Sequence, residues 1–253
     1  MAKVKIPDAG GAALTMVDVG DFITPIFFKS AQEIKDIFDN VPNFKFRNDD
    51  LMLCTFSKTG TNWVYEILMM ILNRSAERIQ TYKVFTMLEG VTAEEADQQP
   101  SPRVMNCHYR PKYLPLEDMR AKQIKTVLCL RNPKDTAVSY YNHMKGLNIY
   151  DYDGKWEDWL PVYGLFVIIT CMFHYIYVLL DYGKYSDYLL HWQKRIQEGP
   201  GFPLHIMYYE DLKMGQQSIQ FCCNIISFQQ MATDLYLGDP TIALLVEAMF
   251  YSA

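Results

Sequence analysis

Two runs of the chain, Leu51-Met-Leu-Cys-Thr-Phe56 and Thr126-Val-Leu-Cys-Leu130, are short and almost wholly apolar. That is the pattern of strands buried on both faces. Each leads through a polar turn into a helical pattern. Ser57-Lys-Thr-Gly-Thr-Asn62 runs into an apolar helix over 63–72, and Arg131-Asn-Pro-Lys-Asp135 into a helix over 136–144. Shorter strands are expected over 103–107 and 204–208. The first forty residues are weakly patterned, apart from 30–38, where Ile34, Ile37 and Phe38 share a helical face and Ser30 with Glu33 forms a capping box. Alternating strands and helices predict an α/β fold, a single three-layer domain over 1–253 with a central, mostly parallel sheet flanked by helices. A ligand should then lie beyond the carboxyl ends of the strands.

Composition adds limits. Half of the 253 residues are apolar and 21% are charged, which is globular and not disordered. A formal charge of −5 argues against broad nucleic-acid binding, yet allows a local basic pocket for one small anion. Cysteines 54, 107, 129, 171, 222 and 223 form no CxxC pair, and no Cys/His set has zinc spacing, so no metal site is expected. Residues 1–20 show no secretory pattern, and a reducing cytoplasm with free thiols is the expected setting. One stretch, 160–180 (LPVYGLFVIITCMFHYIYVLL), carries no Asp, Glu, Lys or Arg and is just long enough to cross a bilayer. A buried core helix is the expectation for it.

The chemistry concentrates in the two turns. The start of a helix presents N–H groups without internal partners and a partial positive charge, so phosphate or sulfate suits it. Gly60 allows close approach of the backbone, Lys58 brings a mobile charge and Thr61 a hydroxyl donor. This loop is only P-loop-like: a Walker A loop places its Lys after the last Gly, whereas Lys58 precedes Gly60. In the second turn Arg131, with Ser139 in the following helix, suits a second phosphate group. The plain alternative pairs Arg131 with Asp135 and leaves Ser139 facing solvent.

These residues resemble the cytosolic sulfotransferase family. The stretch 56–63 (FSKTGTNW) is similar to that family's 5′-phosphosulfate loop, YPKSGTTW, and 131–141 (RNPKDTAVSYY) to its 3′-phosphate segment, RNPKDxxVSYY. Between them, 101–115 (SPRVMNCHYRPKYLP) resembles the strand SPRxxKTHLPxxLLP that carries the catalytic histidine. Residues 208–213 (YYEDLK) look like YEDMK, and 227–231 (SFQQM) like SFxEM. The match is continuous over about 44–145 and patchy over 182–231.

The resemblance implies a co-substrate, 3′-phosphoadenosine 5′-phosphosulfate (PAPS), and a small acceptor such as a phenol or sterol. Lys58, Thr59, Gly60, Thr61 and Asn62 would hold the 5′-phosphosulfate, and Arg131 and Ser139 the 3′-phosphate. Trp63, Tyr209 and Phe228 would adjoin the adenine, with Ser227 nearby. His108 would be the general base, a task that an imidazole suits, and Lys58 would offset charge on the departing phosphate. Histidines 143, 174, 191 and 205 are expected to be structural. Phe85, Tyr109, Tyr150 and Phe166 are candidate lining residues on composition alone.

Four departures qualify the resemblance. Asn106 stands where the family places a Lys two residues before its histidine. The interval between Trp156 and Gly183 is long, with an apolar excess over 167–177, and that from Tyr209 to Phe228 is short. The family's RKGxxGxWK element, which covers the 3′-phosphate, is absent, as is its C-terminal dimerisation stretch. Weaker cofactor binding is expected from that, and homodimerisation is left undecided. The expected function is sulfuryl transfer. The alternatives are a nucleotide-binding pseudoenzyme or truncated isoform, and a protein with 160–180 in lipid, which a spanning helix disfavours because it would split the sheet.

Overall fold

The two apolar runs pair side by side at the centre of a parallel sheet. The computed structural model describes residues 3–27, 29–74, 82–163 and 181–213. In chain order its elements are β1 (Lys3–Pro7), β2 (Ala13–Asp18), β3 (Ile23–Thr24), α1 (Ala31–Asn40), β4 (Leu51–Thr55), α2 (Thr61–Asn73), α3 (Ala93–Asp97), β5 (Val104–Cys107), α4 (Leu116–Ala121), β6 (Lys125–Leu130), α5 (Pro133–Gly146), α6 (Trp156–Tyr163), α7 (Tyr185–Gln197), β7 (Leu204–Tyr208) and α8 (Tyr209–Lys213). The main sheet has the order β5-β4-β6-β7, every pair parallel.

Both faces of this sheet are covered. In β4, Leu51 and Leu53 pack with Val104, Val127 and Cys129 against Val64, Ile67, Leu68 and Ile71 of α2. Met52 and Cys54 face the other way, into a core with Met105, Leu128, Ile34 of α1, Tyr140 of α5, Trp159 of α6 and Trp192 of α7. Strict alternation of side chains in a strand makes this two-sided burial the reason for the uninterrupted apolar run. The α/β three-layer arrangement expected from the sequence is the one found.

At the amino ends of the strands, Arg103 and Asp50 form a bidentate pair (2.9 and 2.6 Å) with both side chains fully buried. Arg103 also donates to the Ala96 carbonyl and to Asp97. α1 begins with the expected capping box, Ser30 and Glu33 bonding each other's backbone N–H. α5 begins at Pro133, earlier than the pattern alone suggested, because the Asn132 side chain accepts from the Lys134 N–H and proline suits the first helical position.

The weakly patterned N-terminal region proves to contain a small antiparallel sheet, β1-β2-β3. Its strands are short, and in β2 half-buried Ala13 and Thr15 alternate with buried Leu14 and Met16 beside an equally buried Val17, so no clear period stands out in the sequence. Ile23 also bridges Asp181. Among the described residues no helix is long and apolar enough to cross a membrane. Of the apolar run 160–180, residues 160–163 end α6 and the others lie outside the described residues.

Candidate functional site

The loops after β4, β5 and β6 meet at the carboxyl ends of the sheet. The loop from β4 to α2 turns through two left-handed residues, Lys58 (φ 68°) and Gly60 (φ 115°). A lysine in this region is strained and has to be held by its surroundings. Thr59 does much of that holding: its N–H and hydroxyl bond Phe56 O (3.2 and 2.8 Å), and the hydroxyl also reaches Cys129 O at 3.2 Å. The Cys129 thiol reaches Thr59 O in return. Thr59 therefore ties the loop to β6, and its polar groups are already committed.

Gly60 is the N-cap of α2 and offers no side-chain cap, so the first-turn N–H groups of Thr61, Asn62 and Trp63 face out of the helix start. A Cβ on Gly60 would lie 2.8 Å from Tyr209 Cδ2. The Tyr209 ring thus closes over the loop. It also meets Trp63 edge-on (5.4 Å between centroids) and lies under the Arg131 guanidinium at 4.1 Å.

Arg131 turns back to the same loop. Its Nη1 donates to Lys58 O at 2.9 Å, so the expected alternative, a pairing with Asp135, is not what the guanidinium does. Tyr185 OH brackets its backbone, accepting from the Arg131 N–H and donating to the carbonyl. Among the described residues Arg131 Nε is buried without a partner. Ser139 is half-buried on α5, about 9 Å further along the helix axis than Pro133. The Lys58 Nζ donates to His143 Nδ1 at 3.3 Å. Burial, and then the Arg131 charge, lower the Lys58 pKa.

β5 delivers His108. Its Nδ1 lies 3.0 Å from both Thr55 O and Thr55 Oγ1. A carbonyl can only accept, so Nδ1 carries the proton and Nε2 keeps its lone pair. Thr55 Oγ1 also bonds Thr61 Oγ1 (2.8 Å), which links the base to the start of α2. Burial, followed by the Lys83 ammonium, holds the His108 pKa well below the usual imidazole range. Its backbone N–H donates to Glu89 Oε1 at 3.0 Å. Glu89 is fully buried, and burial pushes its carboxyl up to about 7. Tyr182 packs edge-on to the His108 ring, 5.1 Å between centroids.

The site therefore gathers Lys58, Gly60, Thr61, Asn62, Trp63, His108, Arg131 and Tyr209. Ser227 and Phe228 lie outside the described residues. The donor set fits an anion carrying phosphate groups: an uncapped helix start, an orphaned guanidinium Nε and a desolvated ammonium.

His143, expected to be structural, is the main residue that motif reasoning missed. Burial, then Lys58 and Lys83, push its pKa down to about 4, so it is a neutral acceptor beside Lys58. Its position four residues after Ser139 on one face of α5 was the available signal. His191 is structural as expected, its Nδ1 donating to Asp187 O. Tyr150 is buried and bonded to Asp181, Tyr109 lies within an aromatic cluster, Phe85 is exposed, and Phe166 lies outside the described residues. A separate groove lined by Asn48, Lys125 and His205 sits at the opposite, amino end of the strands. Parallel sheets do not place their ligands there.

Comparison with known proteins finds sulfotransferases. The chain is 28% identical over 192 residues to sulfotransferase 6B1 of Danio rerio, which covers 74% of this chain and 60% of the relative. It is 30% identical over 188 residues to sulfotransferase 1B1 of Canis lupus familiaris, covering 70% and 58%. The chain thus spans about 60% of the length of these curated relatives. Among solved structures, mouse sulfotransferase SULT7A1 complexed with PAP superposes with a TM-score of 0.65 at 20% identity, over 94% of this chain and 74% of that one. Retinol dehydratase in complex with androsterone and the inactive cofactor PAP gives 0.62 at 14%, over 99% and 74%. A family model described as the sulfotransferase domain matches residues 48–227, and the chain belongs to that sulfotransferase family.

Proposed function

We propose that this chain transfers a sulfuryl group from PAPS to a hydroxyl or amine of a small acceptor such as a phenol or sterol. The observation that carries this is that one loop end joins an uncapped helix start, the Lys58 ammonium and the Arg131 guanidinium, and that Thr55 and Thr61 link this start to His108, whose Nδ1 is bonded to Thr55 O and whose Nε2 keeps its lone pair. When bound, PAPS supplies a sulfuryl group activated by its attachment to phosphate. Lys58 and the first-turn N–H groups of α2, with Asn62, hold the phosphosulfate. Arg131 and Ser139 hold the 3′-phosphate, and Trp63 and Tyr209 flank the adenine. The resemblance adds Ser227 and Phe228. Thr59 and Thr61 shape this cradle through their internal bonds.

His108 Nε2 takes the acceptor proton as the acceptor–sulfur bond forms. The sulfur–oxygen bond to the phosphate breaks, and its electron pair leaves on that phosphate, where Lys58 and the N–H groups offset the charge. His108 needs no prior deprotonation, because its pKa is already held low. The PAP in the SULT7A1 and retinol dehydratase complexes supports the choice of cofactor, and the androsterone in the latter supports a sterol-like acceptor.

The test is thermal unfolding of the purified chain with and without PAP, beside Arg131→Ala. A hundredfold excess over Kd adds about 2.7 kcal/mol, or about 5–10 °C in Tm. That shift should vanish in Arg131→Ala. Turnover of PAPS with phenols and sterols should then vanish in His108→Ala while the PAP shift persists. No shift at millimolar PAP would sink the proposal. A shift with no turnover would leave a nucleotide-binding protein without transferase activity.

A further inference from the structure

We propose that Lys83 is the second cation of the sulfuryl-transfer site, and that Asn106 is the clamp that positions it. The inference rests on the transfer reaction proposed above. Lys83 opens a short 3-10 turn, Lys83–Thr86, whose continuation runs alongside β5. Met87 bridges Asn106, and the Leu88 N–H donates to Asn106 O at 2.9 Å. The buried Asn106 side chain spends its amide on this turn, donating to Lys83 O at 2.8 Å and to Thr86 Oγ1 at 3.3 Å. The Asn106 Oδ1 is buried without a partner among the described residues, and the amide Nδ2 fixes the Lys83 backbone.

The Lys83 ammonium is poorly compensated where it stands. Among the described residues its hydrogen-bonding contact is a long one, 3.8 Å to Met87 Sδ. Burial lowers its pKa, and among the described residues the attractive charge acting on it is the Glu89 carboxyl. That carboxyl is half-neutralised near pH 7, since burial raises its own pKa to about 7. The same ammonium acts on His108 and His143, and it repels Lys58. Asn106, whose amide holds the Lys83 backbone, lies two residues before His108 on β5, so a segment outside both anion loops brings this charge to the sheet edge where His108 sits.

Two partly desolvated ammoniums beside two neutral imidazoles are unfavourable unless an anion joins them. A sulfuryl group passing between two oxygens is such an anion. Lys83 stays protonated throughout. It acts as a fixed charge while the bonds to sulfur exchange and His108 takes the proton.

The test uses the full chain in four forms: wild type, Lys83→Met, Lys83→Arg and Asn106→Ala, each checked for folding by circular dichroism. The first readout needs no nucleotide. It is the imidazole titration of His108 by NMR, with His108 facing Lys83, Lys58, His143, Glu89 and Tyr182. Removing the Lys83 charge should raise the His108 pKa. Lys83→Arg should leave it near wild type, and Asn106→Ala should move it upward by less than Lys83→Met. The second readout sets turnover against PAP binding. PAP lacks the sulfuryl group, so Lys83→Met should lower kcat by about 10- to 100-fold and change the Kd for PAP by less than about threefold.

An unmoved His108 titration in Lys83→Met would overturn the inference. So would a loss of PAP affinity equal to the loss of turnover, because Lys83 would then serve general nucleotide binding. A wild type that neither binds PAP nor turns over would refute the proposed function by itself, and the His108 titration would still decide for or against Lys83.

Discussion

Glu89 offers a perturbation whose size can be worked from the structure. It is fully buried beneath the site, and Oε1 accepts the His108 N–H. Burial raises its pKa from the ordinary 4.5 to about 7. The fold therefore favours the protonated carboxyl. Its contribution to stability is complete below the unfolded value and is lost as pH rises through the folded one. A shift of this size is worth about 3 kcal/mol in full, of which about 2–3 kcal/mol is expressed between about pH 5 and about pH 8. Glu89→Gln keeps an acceptor for His108 and removes the titration. Urea unfolding of both proteins at the two pH values cancels the contributions of the other titrating groups to first order. Relative to the variant, the wild type should lose about 2–3 kcal/mol on going to the higher pH. A gap that stays constant within about 0.5 kcal/mol, or that changes in the wild type's favour, would refute the assignment of Glu89 as a desolvated carboxyl.

Three further outcomes are expected. Arg103→Met strands the buried Asp50 carboxylate and should cost about 3–5 kcal/mol by chemical denaturation; a cost below about 1 kcal/mol would mean the pair is not desolvated. Gly60→Ala places a methyl against Tyr209 at positive φ, so PAP affinity should fall at least about tenfold, measured by calorimetry, with about 1–3 kcal/mol of strain. An unchanged Kd would show that the loop yields freely. For His108, a pKa held below 6.5 keeps the base neutral into mild acid, so the acid limb of kcat/KM should lie below pH 6.5. A limb at or above that value would remove His108 from the role of base.

The sequence carried the centre of the sheet because strands buried on both faces must be apolar, and 51–55 and 125–130 are largely so; 204–208, half exposed at the sheet edge, is less distinct. It also carried the glycine turn between β4 and α2, the loop proposed to hold the phosphosulfate. What it could not express was the company each group keeps. Lys58 and His143 are 85 residues apart in the chain, and Thr55 and His108 are 53 apart. No local spacing records such meetings, which arise only when parallel strands bring their carboxyl ends to one edge. Thr59 stands in the loop expected to hold the phosphosulfate, and only the packing of β6 beside it shows that its hydroxyl bonds Cys129 O. Lys83, Glu89 and Asn106 show the same division. Their residue types were plain from the start, but their protonation and purpose depend on burial, and burial is a property of the packed molecule.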